Sequence, residues 1–394
     1  MFKMIIGLVL NDVPSISETF LINKIKGLNQ NGHKVILFAN HKKNFHICKL
    51  VAHPKVSKSI LLNILNVAIA FIKLFFRRPL VFFRFLYLEK IDGVSICNRW
   101  KNLYINWHIL NQNLDWIHFA FATVSLRREN IADAICAKMG VSLRGYDISI
   151  YPLKNPNCYE RLWEKVDKVH AISYDLLKVA GTHGLKKHTP NMIIQPAIDT
   201  KLFNIGEKKW KKINNKGEIT FLTIARLHWK KGLEYTLQAL AILKEKKFQI
   251  QYNIIGEGDE FERLKFTVHQ LGINDHVDFI GTVSHQNIKK YYEEADIYLQ
   301  YSIQEGFCNA ALEAQIMGLI TIVSDAEGLQ ENVIDGETGW VVPKREPSLL
   351  AEKIENVLHL EDNNLIKIYK NSIARVRKEF NLQKQYQKFY GFFD

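Results

Sequence analysis

The stretch that most constrains the fold runs from Ile297 to Asp325. A strand-like run, Ile297-Tyr-Leu-Gln-Tyr301, passes through a short loop, Glu305-Gly306-Phe307-Cys308-Asn309, into an apolar helix from Ala310 to Met317 that ends at Gly318. A second strand, Leu319 to Val323, follows at once. A strand, helix, strand crossover of this kind joins parallel strands. The loop between strand end and helix start exposes unpaired backbone N–H groups and a positive helix terminus, which suits an anionic or hydroxyl-rich ligand.

Glu305 and Glu313 lie on this loop and helix with seven residues between them. If Asn309 caps the helix, Glu313 sits about one turn inside at ~1.5 Å per residue, so that both carboxylates face one cleft. Two solvated acids on a surface helix would show the same spacing. The whole pattern, from Glu305-Gly-Phe-Cys-Asn309 through Glu313 and Gly318 to Ser324-Asp325, resembles the E-x7-E signature of family 4 retaining glycosyltransferases. The resemblance implies an α/β protein of the GT-B fold, two Rossmann-like domains with parallel sheets facing across a cleft. It also implies that Glu305 and the loop residues Gly306, Phe307, Cys308 and Asn309 hold a donor sugar, and that Glu313 binds the ribose of a nucleotide.

Upstream, the strand Ile219 to Ala225 is followed by Arg226-Leu-His-Trp-Lys-Lys231-Gly232 and a helix bearing Leu233, Leu237, Leu240 and Leu243. Arg226 leaves the strand end and Lys231 sits at the helix entrance, so both can converge on a phosphate over that terminus. In the resembled family the matching Arg and Lys bind the donor pyrophosphate. A strand over Phe248 to Ile255 leads to Gly256-Glu-Gly258, a weak nucleotide signal on its own. Val283, in Thr282-Val-Ser284, lies where relatives frame the base. Glu305, Arg226 and Lys231 are therefore the expected catalytic set. Two cations neutralising a leaving diphosphate need no metal, in keeping with the absence of a D-x-D motif, and the only expected co-substrate is a UDP- or GDP-linked sugar. No separate cofactor is expected.

The N-terminal run Met1 to Leu10 is too short for a signal peptide and reads as a first buried strand, followed by a helix from Ser17-Glu18-Thr19 to Asn31 and a second strand, His33 to Phe38. Pro14-Ser-Ile-Ser-Glu-Thr-Phe20 resembles the start of colanic-acid-type exopolysaccharide glycosyltransferases, which would put Ser17 and Glu18 on the acceptor side. A plain helix cap explains those residues equally well. Trp116 to Ala120 reads as a strand and Leu126 to Lys138 as a helix. Ile117-His118-Phe-Ala120-Phe resembles a family I-H-x-H-F pattern whose second His is Ala120 here. Arg144-Gly145-Tyr146-Asp147 stands where relatives often read H-G-x-D. His118, Arg144 and Asp147 are thus acceptor-side candidates, with Arg144 either binding an acidic group or simply pairing with Asp147.

The chain has 394 residues, 53 Lys+Arg against 40 Asp+Glu and a net charge of +13, which implies an anionic partner. The basic residues are spread along the chain and no nucleic-acid-binding module is recognisable, so nucleic acid is the weaker expectation. Five cysteines without a C-x-x-C pair suggest reduced thiols and no zinc site. Ser59 to Phe76 is the most apolar segment, with Ser59, Asn63, Asn66 and Lys73 on one narrow arc and Lys55, Lys58, Arg77, Arg78 and Arg84 around it. It reads as a helix buried against the sheet, an interfacial helix on an anionic bilayer, or a short span.

The expected organisation is an acceptor-binding domain over 1–198, a nucleotide-sugar domain over 199–375, and a last helix over 376–394 that returns to the first domain. Its expected reaction is sugar transfer to a glycan or undecaprenyl-diphosphate-linked acceptor in bacterial surface polysaccharide synthesis. The expected place is the cytoplasm, either in solution or peripherally on the inner face of the cell membrane. A GT-B epimerase or phosphorylase is the alternative within the same architecture.

Overall fold

The computed structural model describes residues 3–14, 19–40, 45–54, 56–204, 217–284 and 286–394. Ser17, Glu18, Lys55 and the lysine-rich stretch over 207–216 lie outside the described residues. The chain divides into two compact units, one of Met1–Ile194 with Tyr386–Asp394, the other of Gln195–Gln385. The division falls at Gln195 and again at Tyr386, against the expected 198/199 and 376.

The first unit carries seven parallel strands: β1 (Ile5–Asp12), β2 (Lys34–Asn40), β3 (Lys49–Ala52), β4 (Trp116–Phe119), β5 (Lys138–Leu143), β6 (Lys168–Ala171) and β7 (Asn191–Ile193). Their order is β3-β2-β1-β4-β5-β6-β7, so the winding reverses between β1 and β4. The second unit repeats the plan with β8 (Ile219–Ile224), β9 (Ile250–Ile255), β10 (Val277–Gly281), β11 (Ile297–Gln300), β12 (Ile320–Ser324) and β13 (Trp340–Val342) in the order β10-β9-β8-β11-β12-β13. Every pairing in both sheets is parallel. In such sheets ligands bind beyond the carboxyl ends of the strands where the order reverses. In the second unit that point lies between β8 and β11, paired through Ile297↔Phe221 and Tyr298↔Leu222.

The strands read as near-continuous apolar runs because helices cover both faces of a parallel sheet. Phe221, Leu299, Ile322 and Tyr252 from the second sheet pack with Leu237, Leu240 and Leu243 of the helix Leu233–Glu245, the residues whose spacing marked that helix. In the first unit Ile6, Leu8, Leu37 and Trp116 pack with Leu21, Ile25 and Leu28 of α1 (Thr19–Gln30) and with Phe389, Phe392 and Phe393. β1 lies in the middle of its sheet with Ile6 to Leu10 buried, as expected of a first buried strand.

Three readings need correction. The helix expected over Leu126 to Lys138 is only Ile131–Ile135; Cys136 turns left-handed at φ 59° and releases the chain into β5. Asn309 is the first helical residue rather than the cap of the helix Asn309–Ile316; Cys308, extended at φ −120°, occupies the cap position. The apolar segment does form a helix, α2 (Ile60–Arg77), followed by α3 (Pro79–Ile91) and α4 (Ile96–Leu110), which were not read from the sequence. Yet α2 is not buried against the sheet: only Ala70 and Leu74 are buried.

Candidate active site

The carboxyl ends of β8 and β11 and the entrances of two helices bring the predicted residues of the second unit together. Lys231 ends a single turn, Trp229–Lys231, just before the helix Leu233–Glu245, and its ammonium forms an ion pair with Glu305 on the loop after β11. The two side chains retain 20% and 16% exposure, so a ligand can reach both. Burial alone would lower the Lys231 ammonium; the Glu305 carboxylate is the main influence that outweighs it and holds the group above its usual value. Arg226, two residues beyond β8, is exposed.

The loop that carries Glu305 is fastened on three sides. The N–H groups of Ile303 and Gln304 donate to the Lys230 carbonyl at 2.7 and 3.2 Å, which ties the loop to the turn that presents Lys231. The Glu305 N–H donates to the Glu327 carboxylate at 3.0 Å, and Ser324 Oγ donates to the Ser302 carbonyl at 2.5 Å. Glu327 holds that position at φ +31°, an unusual conformation for a residue with a side chain. Further along, the Asn332 amide clamps Cys308 in both directions: Cys308 N–H donates to Asn332 Oδ1 at 3.1 Å and Asn332 Nδ2 donates to the Cys308 carbonyl at 2.7 Å.

Glu313, half-buried in the first turns of its helix, accepts a hydrogen bond from Tyr292 Oη at 2.9 Å. Burial, followed by the Glu313 charge, drives the Tyr292 phenol well above its ordinary value, so it stays a donor. Gly306, Phe307 and Cys308 are buried. Phe307 packs on Phe380 with ring centroids 5.7 Å apart. Burial, aided by the Glu305 charge, pushes the Cys308 thiol up to about 11, and its Sγ rests 3.5 Å from Gln300 Oε1. Phe307 and Cys308 thus build the loop from behind, whereas Glu305, Asn309 and Glu313 keep partial exposure. Gly256, at φ +136°, follows β9; a Cβ there would stand 2.0 Å from the Ala225 carbonyl oxygen, so this glycine permits the two strand ends to touch. Val283 is half-buried beyond β10.

In the first unit the candidates divide differently. His118 has no exposed surface: its Nε2 is 2.8 Å from Lys24 Nζ and 2.7 Å from Ser142 Oγ, and its ring lies against Phe392 and Phe393. It is a core residue, since its side chain projects from β4 into the packed interior and not from the loop beyond it. Asp147, 2% exposed, accepts the N–H groups of Ala122, Arg144 and Gly145 at 3.0, 3.0 and 2.9 Å, and so shapes the turn after β5. Burial pushes its carboxyl up against the pull of those donors. The Arg144 guanidinium, half-buried, donates to the Ala120 carbonyl at 3.1 Å and stacks 3.9 Å from the Phe20 ring centre. Its bond to Asp147 runs through the main-chain N–H.

Glu327, Asn332 and Tyr292 were not assigned roles from the sequence. Glu327 and Asn332 lie just downstream of Ser324-Asp325, but nothing in their spacing reveals which backbone groups they meet. Tyr292 carries no sequence signal beyond the side of a short helix, Ile288–Glu294.

The chain is similar to known proteins. Residues 204–376 match the family described as glycosyl transferases group 1. The amylovoran biosynthesis glycosyltransferase AmsK of Erwinia amylovora is 31% identical over 176 residues, 43% of each chain. WcaL of Escherichia coli K12, named for colanic acid biosynthesis, is 28% identical over 171 residues, 42% of each chain. The matched stretch therefore spans less than half the length of these relatives. Among solved structures, Anabaena HepE in complex with UDP and glucose superposes with a TM-score of 0.72 at 15% identity, covering 99% of both chains. Residues 204–376 are thus similar to the glycosyl transferases group 1, and the fold of the chain is GT-B.

Proposed function

We propose that the chain is a retaining glycosyltransferase that moves a sugar from a UDP- or GDP-linked donor, without a metal ion, to a glycan or lipid-diphosphate-linked acceptor of bacterial surface polysaccharide synthesis. The observation that carries this reading is the Lys231–Glu305 pair at the point where the β8–β11 order reverses. An entering diphosphate competes with Glu305 for the ammonium. Once Lys231 and Arg226 turn to the phosphates, the freed Glu305 carboxylate accepts the donor sugar's hydroxyls, and Glu313 does the same for the ribose. As the bond to the anomeric carbon breaks, negative charge grows on the diphosphate and is met by two fixed cations and the helix terminus. The donor phosphate takes the acceptor's proton on the same face, which preserves configuration. The relatives named for amylovoran and colanic acid synthesis support the acceptor class, and the UDP complex of HepE supports a nucleotide donor.

The test is thermal shift against UDP, GDP, ADP and CMP and their sugar conjugates, with and without EDTA, followed by NMR of the product's anomeric configuration. A ligand at about a hundred times its dissociation constant stabilises by ~2.7 kcal/mol. One nucleotide should stand out regardless of EDTA. A shift that vanishes with EDTA, or an inverted product, would refute the metal-independent or the retaining part respectively.

A further inference from the structure

We infer that α2 and α3 form a membrane-docking platform, which sinks its outward apolar faces among the acyl chains of a bilayer with anionic headgroups. A helix that is apolar on nearly every side is ordinarily buried. This one is not. Ala70 and Leu74 on one side of α2 are its only buried residues, and Leu61, Leu65 and Phe76 on the other are 79%, 55% and 78% exposed.

Projected at about 100° per residue, the outward side of α2 is a single stripe of Leu61, Leu62, Leu65, Ala68, Ile69, Ile72 and Phe76, with Asn66, Lys73 and Arg77 along one edge. α3 repeats the arrangement. Val81, Phe82, Phe85 and Glu89 are buried, and Leu80, Phe83, Tyr87 and Ile91 face outward between Arg84 and Lys90. The Phe75 and Phe83 rings, 5.9 Å apart, join the two stripes into one surface. Surfaces of this extent on a soluble protein mark an interaction site.

Charge selects the occupant. From Val56 to Lys101 there are eight Lys and Arg residues and two acids, Glu89 and Asp92. Both acids are turned inward: Glu89 accepts from Asn102 and Asn130 at 2.7 and 2.9 Å, and Asp92 pairs with Lys165 at 2.9 Å. Exposed Lys58, Lys73, Arg77, Lys90 and Lys101 remain around the apolar surface. Apolar stripes edged by cations and cleared of carboxylates match an anionic headgroup layer over hydrocarbon. With 18 residues, α2 reaches about 27 Å, short of a ~30 Å hydrocarbon core, and Ala70 and Leu74 tie it to the unit. It therefore lies in the interface and does not cross.

The test is flotation of the full chain with vesicles of phosphatidylcholine alone or mixed with phosphatidylglycerol. The chain should float with the mixed vesicles and keep part of its binding at high salt, where apolar insertion persists. Leu65→Glu with Phe83→Glu should reduce binding at least about tenfold at unchanged melting temperature. Lys73→Glu with Arg77→Glu should lose about fivefold per charge on the mixed vesicles only. Failure to float, or equal flotation of the Leu65→Glu, Phe83→Glu variant, overturns the inference. So does a dimer by light scattering that this variant dissociates, because a second copy would then cover the face. The nucleotide-induced melting shift of the variant in solution should match wild type, so the transferase reading stands or falls separately.

Discussion

Two lysines, one in each unit, partly exposed Lys231 and buried Lys24, show how a partner decides the state of a cation. Lys231 leans on a carboxylate, and Glu305 holds its ammonium above the usual value despite burial. Lys24 of α1, 1% exposed, has an imidazole instead: His118, with the Phe389 ring 4.5 Å beneath it. Burial, together with the Arg144 charge, drives it well below the usual value. The chain continues from His118 through Ser142 Oγ to His170 Nδ1 at 2.8 Å, and burial lowers both imidazoles as well. One ammonium is stabilised by a carboxylate at the rim of its site. The other is held less firmly by an imidazole in a packed core.

The sharpest test of this contrast is catalytic. Glu305→Ala and Lys231→Met should each reduce turnover by about 10²–10³-fold with the circular dichroism spectrum unchanged, because the charge opposing the leaving diphosphate is lost or misplaced. Lys24→Met should leave turnover within a few fold. Equal losses in both units would break the comparison.

Next in size is the backbone. Gly256→Ala should lower stability by about 3 kcal/mol in urea titration, since its Cβ would meet the Ala225 oxygen at 2.0 Å. Gly145→Ala, at φ +141° with nothing within 4 Å, should cost only about 1 kcal/mol of backbone strain.

The pH dependence should differ in sign between the units. Lys24 binds its proton less well folded than unfolded, so stability rises as pH climbs from its lowered folded value towards about 10.4, by up to ~1.4 kcal/mol per pH unit. His118 and His170 act likewise below about pH 6.5, where acid should destabilise the fold. Lys231, raised when folded, contributes stability that is fully present below about pH 10.4 and lost as pH rises through its folded value. Urea melts across pH should show Lys24→Met flattening the rise and Glu305→Gln removing the alkaline loss.

The smallest expected effect is at Glu313, the proposed ribose contact. Tyr292→Phe removes the 2.9 Å bond that orients Glu313 and should weaken nucleotide binding by a few fold to about tenfold, at about 1 kcal/mol in stability. Isothermal titration with the nucleotide found by thermal shift measures it.

Much of the second unit was legible because its strands are bounded by glycines and its helices by apolar residues at fixed spacing, and because Arg226, Lys231, Glu305 and Glu313 lie at strand ends and helix starts. The first unit was harder. His118 resembles a site residue in sequence, but which side of β4 it faces depends on α1 and on the phenylalanines near the C-terminus. α3 and α4 escaped notice because their apolar residues lie on outward as well as inward faces, so no single periodic stripe marks them. The partners of Glu327 and Asn332 depend on loop conformation, which periodicity does not record.

Asn332 has a consequence for anyone who would exchange this loop. Its side-chain amide pairs with Cys308 as a neighbouring strand's peptide would, from 24 residues downstream, while Arg375 and Gln315 grip its own carbonyl at 2.7 and 3.0 Å. The loop 302–308 is therefore not a portable cassette. Exchanging it between relatives would transplant half of a two-part fitting, and the segment from Glu327 to Asn332 would have to travel with it.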